Sequence, residues 1–423
     1  MKQEIKERIE LINKGIVPAG YKKTSVGICP VEWEENTLKN IFIFKNGLNK
    51  EKSAFGKGTP IINYTDVWGK RGLKLKDVKG KVTLNKNEIE NYSAKKGDVF
   101  FTRTSETINE IGLTSVLLED IKDCVFSGFV LRGRPISNLI VNEYNQYCYS
   151  LDFMRNEITK KSSYTTRALT NGELLSQVLI NLPTKSEQQK IAEILDCATR
   201  QVELQEQLVD KLKVQKKALM QKLLTPQPDW QEVKLGDVVT YASSGGTPKT
   251  DFEEYYNGNI VWVSIDDITK CQKYIENSSR KITDLGLKNS STKLLNPNTI
   301  LFAMYASIGK CAISKVLCTT SQAILGLVAN EKKVGYEYLY YTLCFMEDSL
   351  KLLGQKGSQS NLNKQMVLNF NVFLPNLKEQ NEITNILKNI DKQIELQQKL
   401  LEQYKLRQKA LMQLLLTGIV RVN

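Results

Sequence analysis

The sequence predicts an α+β protein built as a tandem repeat, in which two globular α/β segments alternate with two long helices about an internal pseudo-twofold. Three observations predict it. First, residues 182–225 recur at residues 374–417 with a constant offset of 192, no gap and roughly half the positions identical, including Lys217-Ala218-Leu219-Met220-Gln221 against Lys409-Ala410-Leu411-Met412-Gln413. Second, a globular stretch precedes each copy and opens at a Trp with Leu five residues later, Trp33 with Leu38 and Trp230 with Leu235. Third, the globular stretches share a plan but little sequence, while the helices stay alike.

The repeat itself reads as one long helix per copy. Pro183 and Pro375 mark the starts, Glu187-Gln188 and Glu379-Gln380 occupy the first turns, and no Pro or Gly follows until Pro226 and Gly418. Apolar residues at Ile191, Ile194, Leu195, Ala198, Val202, Leu208, Val209, Leu212, Leu219 and Leu223 form a heptad-like stripe. The second copy repeats it from Ile383 to Leu415. Such a stripe needs a partner, and its own copy supplies one. Gln205 and Gln397 interrupt it at equivalent places and are candidates for fixing register.

Taken in order, residues 1–32 hold a short amphipathic helix with Ile5, Ile9 and Ile12 on one face, stopped at Gly15, and then a connector. Residues 33–181 form the first globular segment. Ile61 to Val67 (IINYTDV) reads as a strand, residues 97–102 as a turn feeding a strand, and residues 144–158 as a helix. Residues 182–226 are the central helix. Residues 227–373 repeat the plan, with strands near 259–264, 298–303 and 321–328 and a helix over 336–353. Residues 374–423 are the distal helix and tail.

The chain has 423 residues, 41% hydrophobic and 25% charged, as an ordinary globular protein does, with a formal charge of +13 that favours a polyanionic partner. The helices are not the source of that charge. Residues 184–225 carry 8 Lys/Arg against 6 Asp/Glu, and residues 376–418 carry 7 against 5. The excess sits in loops: residues 70–86 contain seven Lys/Arg and one acid, Asp77. Eight scattered Cys without metal-ligand spacing predict buried free thiols in a reducing cytoplasm, and no apolar run reaches membrane-spanning length.

Histidine is absent, which excludes His-based acid–base catalysis, Ser-His-Asp triads and His metal sites within the chain. Gly56-Lys57 is followed by Gly58 and Gly309-Lys310 by Cys311, so neither completes a phosphate-binding P-loop. No GxGxxG follows a strand, and no NPPY-like tetrapeptide is present. Asp120-Ile121-Lys122 has nuclease-like spacing but is too short to carry weight, and Ser243-Ser244-Gly245-Gly246 lacks a base. The expectation is a chain without an active site or metal of its own.

The motif Leu-Pro-x3-Glu-Gln-x2-Ile-x2-Ile-Leu at 182–195 and 374–387, the Trp openings, the Gly-Thr-Pro and Tyr-Tyr-Asn-Gly-Asn-Ile-Val-Trp run of residues 246–262, and Leu301-Phe302-Ala303 with Ser307-Ile308-Gly309 resemble the specificity subunit of type I restriction–modification systems. The resemblance runs from about residue 20 to 417; the first segment departs from it only in the longer gap between Arg103 and Ile111. It implies two target-recognition domains that each read half of a bipartite double-stranded DNA target, separated by antiparallel coiled-coil helices. It also implies two methyltransferase subunits holding S-adenosylmethionine and motor-nuclease subunits using ATP and Mg. Two alternatives stay open: a coiled-coil adaptor that binds no DNA, and the DNA-recognition part of another modification enzyme.

With DNA as the implied partner, the loops nominate Lys50, Lys52, Lys57, Asn63, Lys70, Arg71, Lys74, Lys76, Arg103 and Arg167 in the first domain. The second contributes Ser243, Ser244, Thr247, Lys249, Tyr305, Ser307, Lys310, Gln359 and Asn361. The helix ends nominate Leu219, Met220, Leu223, Leu411, Met412 and Leu415 for partner docking.

Overall fold

The computed structural model describes residues 3–164, 166–355 and 361–422. The chain divides into two compact units, Met1–Gln205 with Leu400–Asn423, and Glu206–Lys399. Both boundaries fall inside the long helices, which span Lys185–Leu224 and Leu377–Leu416, 40 residues each. Each unit therefore holds one globular domain and half of each helix.

Within each unit the two helix halves run antiparallel. In the first, Ile191 and Leu195 near the start of the central helix share a core with Met412, Leu415 and Leu416 near the end of the distal helix. The Gln408 side-chain amide donates to Thr199 Oγ1 at 2.8 Å across the same pair. In the second, Leu224 at the end of the central helix shares a core with Ile383 and Leu387 near the start of the distal one, and Lys216 pairs with Asp391 at 2.6 Å. The buried stripe is narrower than predicted: Leu208 and Ile386 are exposed, because a helix facing one partner hides a narrow seam and leaves the flanks wet. Gln205 is buried and Gln397 half-buried.

The two domains share the topology of their main sheets; among the described residues a further three-stranded sheet, Ser163–Tyr164, Ala168–Leu169 and Thr104–Ser105, belongs to the first domain alone. The first has a five-stranded sheet in the order Phe42–Asn46, Val130–Pro135, Val99–Thr102, Thr114–Leu117, Gly72–Leu73. The second orders Val239–Ser244, Ile324–Ala329, Ile300–Ala303, Cys311–Ser314, Tyr274–Ile275 in the same way. In each, the outermost short strand is parallel to its neighbour and the other pairings are antiparallel. A three-stranded sheet accompanies each: Val125–Phe126, Phe55–Ile62, Gly80–Val82 in the first and Arg280–Ile282, Tyr256–Val263, Cys318–Thr320 in the second. A strand pair closes the base of each domain where it joins the helices, Glu34–Thr37 with Leu179–Leu182 and Gln231–Lys234 with Asn371–Leu374. The opening Trp of each domain donates its indole N–H to the first-turn Glu of a long helix, Trp33 to Glu187 and Trp230 to Glu379.

Two predicted elements differ. The stretch at 61–67 is a strand only to Ile62; Asn63 then starts a one-turn helix, its backbone N–H donating to Asp66 at 2.8 Å. The helix predicted over 144–158 is two short helices, Asn142–Asn145 and Asp152–Lys160. The chain turns between them so that Tyr147, Cys148, Tyr149 and Leu151 are all buried, and Tyr149 donates to the Asn145 side chain at 2.9 Å. Its counterpart in the second domain is one 20-residue helix, Tyr336–Gln355. The helix predicted at the N-terminus forms, as Gln3–Asn13, and Gly15 takes the left-handed conformation just beyond it.

Candidate nucleic-acid interface

One end of each five-stranded sheet collects most of the nominated residues. In the first domain, Asn46 lies opposite Leu131 and Val130 opposite Thr102, so the residues that follow emerge together. The turn after Asn46 crosses the sheet end at Gly47, where a Cβ would lie 2.0 Å from the Ser127 carbonyl oxygen; only glycine permits that approach. Arg103 leaves the central strand there, its backbone N–H donating to the Phe129 carbonyl at 3.1 Å and its guanidinium to Gly128 at 3.4 Å. Arg167 is exposed on the hairpin that pairs Ser163–Tyr164 with Ala168–Leu169 and then with Thr104–Ser105. Lys52 and Lys57 are exposed, whereas Lys50 is paired with Glu88 at 2.6 Å. Phe129 and Tyr164, both exposed aromatics, stand at this sheet end and hairpin without having been singled out from the sequence. A large aromatic directly after the Ser127-Gly128 turn was the available signal.

The second domain builds the same end from different chemistry. Ser243 and Ser244 lie opposite Gly326 and Leu325, Ala303 lies opposite Ile324, and Leu362 N–H donates to Met304. Gly245 repeats the close approach, its Cβ position 2.0 Å from the Thr320 carbonyl. Trp262 and Tyr256 tie the turn down by donating to the Gly246 and Pro248 carbonyls at 3.0 and 2.6 Å. Ser244, Thr247, Lys249 and Asn361 are exposed, and Ser243, Tyr305, Ser307 and Lys310 half-buried. Gln359 lies outside the described residues. Phe252, stacked on Tyr255 at 5.1 Å, follows this turn, and exposed Tyr241 lies within the edge strand opposite Val328; neither was singled out in the sequence.

The basic loop at 70–76 lies elsewhere, at the sheet edge that meets the long helices, and its residues divide by role. Lys74 and Lys76 are exposed. Lys70 is held by Asp77 at 2.9 Å, and Arg71 is half-buried over the Tyr147 ring, 5.9 Å from its centroid. Burial lowers the Arg71 pKa. Arg71 and Asn63, which caps the turn after its strand, are thus both engaged by contacts within the domain.

Arg71 belongs to a latch between domain and helix. The Tyr147 hydroxyl donates to Asp196 at 2.5 Å and lies 3.3 Å from Thr199. Burial and the Asp196 carboxylate push its pKa up. The second domain has the corresponding latch with more charge. Tyr341 donates to Asp391 at 2.6 Å, and Lys273 donates to Tyr341 at 2.9 Å and to Glu337 at 3.2 Å. Tyr274 and Lys388 both donate to Glu337 at 2.7 Å. Burial raises the Glu337 pKa, but the hydrogen bonds from Lys388 and Tyr274 and the Lys273 charge outweigh it, so the carboxyl sits below its ordinary value. Burial lowers the Lys273 pKa.

The helix residues nominated for partner docking are engaged internally. Met412 and Leu415 are buried in the first unit's core with Leu411 packed on it, and Leu219, Met220 and Leu223 pack on the second unit's core. The repeat explains their likeness: they hold the helices to each other and to the domains. Exposed apolar residues occur instead at Leu204 (55%) and Leu406 (68%) in the first unit, and at their offset-192 counterparts Leu396 (53%) and Val214 (70%) in the second. Among the described residues no group of three or more Cys, Asp or Glu is placed to hold a metal, and no helix is long and apolar enough to cross a membrane.

Two copies of one sheet plan, each presenting a different set of loops from the same sheet end, define a tandem recognition protein. The sequence profile of the type I restriction modification DNA specificity domain matches residues 30–214 and again 227–406. The chain is 24% identical over 432 aligned positions to a putative type I restriction enzyme MjaX specificity subunit of Methanocaldococcus jannaschii, covering 95% of this chain and 97% of that one. Its fold is similar to the type I restriction–modification S subunit of M. genitalium, with a TM-score of 0.55, 13% identity and coverage of 90% of this chain and 96% of the other. A chain from a study of complex assembly and conformational transition of the type I R-M system gives a TM-score of 0.59 at 16% identity, covering 93% and 99%. This chain belongs to the type I restriction–modification DNA specificity family; it is a specificity subunit with two recognition domains.

Proposed function

We propose that each domain reads one half of a bipartite double-stranded DNA target through its sheet-end loops, and that the helices set the gap between the halves. The observation that carries this reading is one topology with two surfaces: Lys45, Asn46, Arg103 and Phe129 in one domain stand where Ser243, Ser244, Met304 and Ala323 stand in the other. Different donors and acceptors at one structural address are what two different half-sites require. Replacing Arg103 and Arg167 with Ala should alter or abolish one half of the methylated motif in cells and leave the other intact, read by methylome sequencing. Loss of both halves in a folded, assembled variant would count against separate reading heads.

The chemistry belongs to partners in this reading. Methyl transfer uses S-adenosylmethionine in two methyltransferase subunits, and cleavage uses ATP and Mg in motor-nuclease subunits, while this chain alone neither methylates nor cuts. The absence of His and of nucleotide-binding motifs supports the assignment. The Leu204–Leu406 and Leu396–Val214 pairs are the docking faces, since the repeat offers the same exposed apolar pair twice, once per partner copy. Leu204→Arg with Leu396→Arg should leave the chain folded and reduce co-purifying methyltransferase from two copies to none by native mass spectrometry. Retention of both copies would place docking on another face.

A further inference from the structure

The two latches differ on the helix side at every equivalent position. Asp196, Thr199 and Gln408 serve the first domain; at the constant offset of 192 stand Lys388, Asp391 and Lys216, which serve the second. One set carries a single negative charge and the other a single net positive charge. On the domain side the sets are nearly alike, with Arg71 and Lys273 immediately before the short edge strands and the Glu143-Tyr144-x2-Tyr147 run repeated as Glu337-Tyr338-x2-Tyr341. Equivalence of that run is fixed by backbone contacts: Val141 N–H donates to Gln188 at 2.8 Å, and Gly335 N–H to Gln380 at 3.0 Å.

We propose that the latch checks which recognition domain occupies which position: the second domain is admitted only beside Lys388, while the first is accepted at either position. The asymmetry rests on Glu337, whose side chain is 12% exposed and holds Lys273 and Lys388. Beside the first helix set, Glu337 would lose Lys388 and face Asp196 instead, and Lys273 would lose the Asp391 carboxylate to Thr199. A poorly solvated carboxylate facing a second one is costly. The first domain meets no such conflict. Its equivalent of Glu337, Glu143, is exposed, and beside Lys388 it would gain an opposite charge. Tyr147 already lies 3.3 Å from Thr199, so an aspartate at that position would accept its hydroxyl. Arg71 brought to that position would stand next to Lys216 and Lys388, where Lys273, also a cation, stands natively.

The test uses the full chain. Lys388→Asp places an acid opposite Glu337 and should lower the unfolding midpoint by roughly 5 °C. Adding Glu337→Gln, which removes the opposing carboxylate without setting a cation against Lys273, should recover at least half of the loss. Asp196→Lys faces no buried carboxylate and should cost less than half as much. A Lys388→Asp variant that is fully stable, or unaffected by Glu337→Gln, overturns the proposal. In a second arm, full-length chains carry the first domain in both positions or the second in both. The doubled first domain should unfold within a few degrees of the native chain. The doubled second domain should be markedly less stable and be restored by Asp196→Lys, Thr199→Asp and Gln408→Lys together. Equal stability of the two doubled chains, or no rescue by the triple substitution, also overturns it. Assembled with methyltransferase, the doubled first domain should mark a symmetric target. That readout rests on the half-site reading, so a stable doubled chain that marks an asymmetric target sinks the half-site reading and leaves the latch standing.

Discussion

At the residue scale, the two first-turn glutamates show what a repeat preserves and what it lets drift. Glu187 accepts from Trp33 at 2.9 Å and from Arg421 at 2.6 and 3.0 Å, with its side chain only 3% exposed; Arg421 also reaches Glu32 at 2.8 Å. Glu379 accepts from Trp230 at 3.2 Å, and the residue equivalent to Arg421 is Asp229 in the covalent connector. Arg421 thus does by side-chain contact what the peptide chain does in the second unit. Arg421→Ala should cost about 2 kcal/mol in the first unit, because it leaves a buried carboxylate with one donor; loss of hydrogen-exchange protection at residues 3–33 is the measurement. Glu337 gives the pH prediction. Its folded pKa is lowered, so its contribution is present above the ordinary glutamate range and is lost as pH falls through the lower folded value. Glu337→Gln should therefore lower the second unit's stability at neutral pH and flatten its decline on the acid side below about pH 4.5. A parallel acid limb in the variant would show that another group carries it.

At the element scale, the basic loop illustrates how composition misleads without packing. Seven cations in residues 70–86 read as one phosphate-contacting surface, yet Lys70 is tied to Asp77 and Arg71 to Tyr147. The loop's remaining exposed cations include Lys74 and Lys76. Lys74→Ala with Lys76→Ala should weaken binding of the assembled complex to every duplex alike and lower the slope of log affinity against log salt by about 2. A changed motif at constant slope would make them base readers. The sheet-end turns were visible in the sequence as Gly-rich runs, but nothing in the sequence joined Ser244 to Leu325 or Arg103 to Phe129. Those pairs meet through strand register, which is set by side-chain alternation over the whole sheet.

At the scale of the whole molecule, each helix of 40 residues is about 60 Å long. Both unit boundaries fall close to Gln205 and Gln397, so residues added there enter between units and leave each half-helix pair in register. Seven residues inserted after Gln205 and after Gln397 preserve the apolar repeat and add about 10 Å per helix. The unspecified gap in the methylated motif should lengthen by about three base pairs while both halves stay unchanged. Methylome sequencing decides it; a fixed gap with continued methylation removes the helices as the ruler.

The sequence by itself determined the duplication, the two long helices, the shared domain plan and the family, because these rest on periodicity and offset, which are properties of the chain read linearly. It also pointed to the loops at 45–52, 243–249 and 305–307, whose Gly and hydroxyl content marks exposed turns. Tertiary structure alone decided which nominated residues are free. Met412 and Leu415 look like any surface leucine-rich helix end until the domain core closes over them, and Arg71 looks like a phosphate contact until Tyr147 lies beneath it. The unequal latches were equally invisible, since Asp196 and Lys388 differ by one letter in an alignment and acquire meaning only from the tyrosine or the buried carboxylate that the fold sets against each.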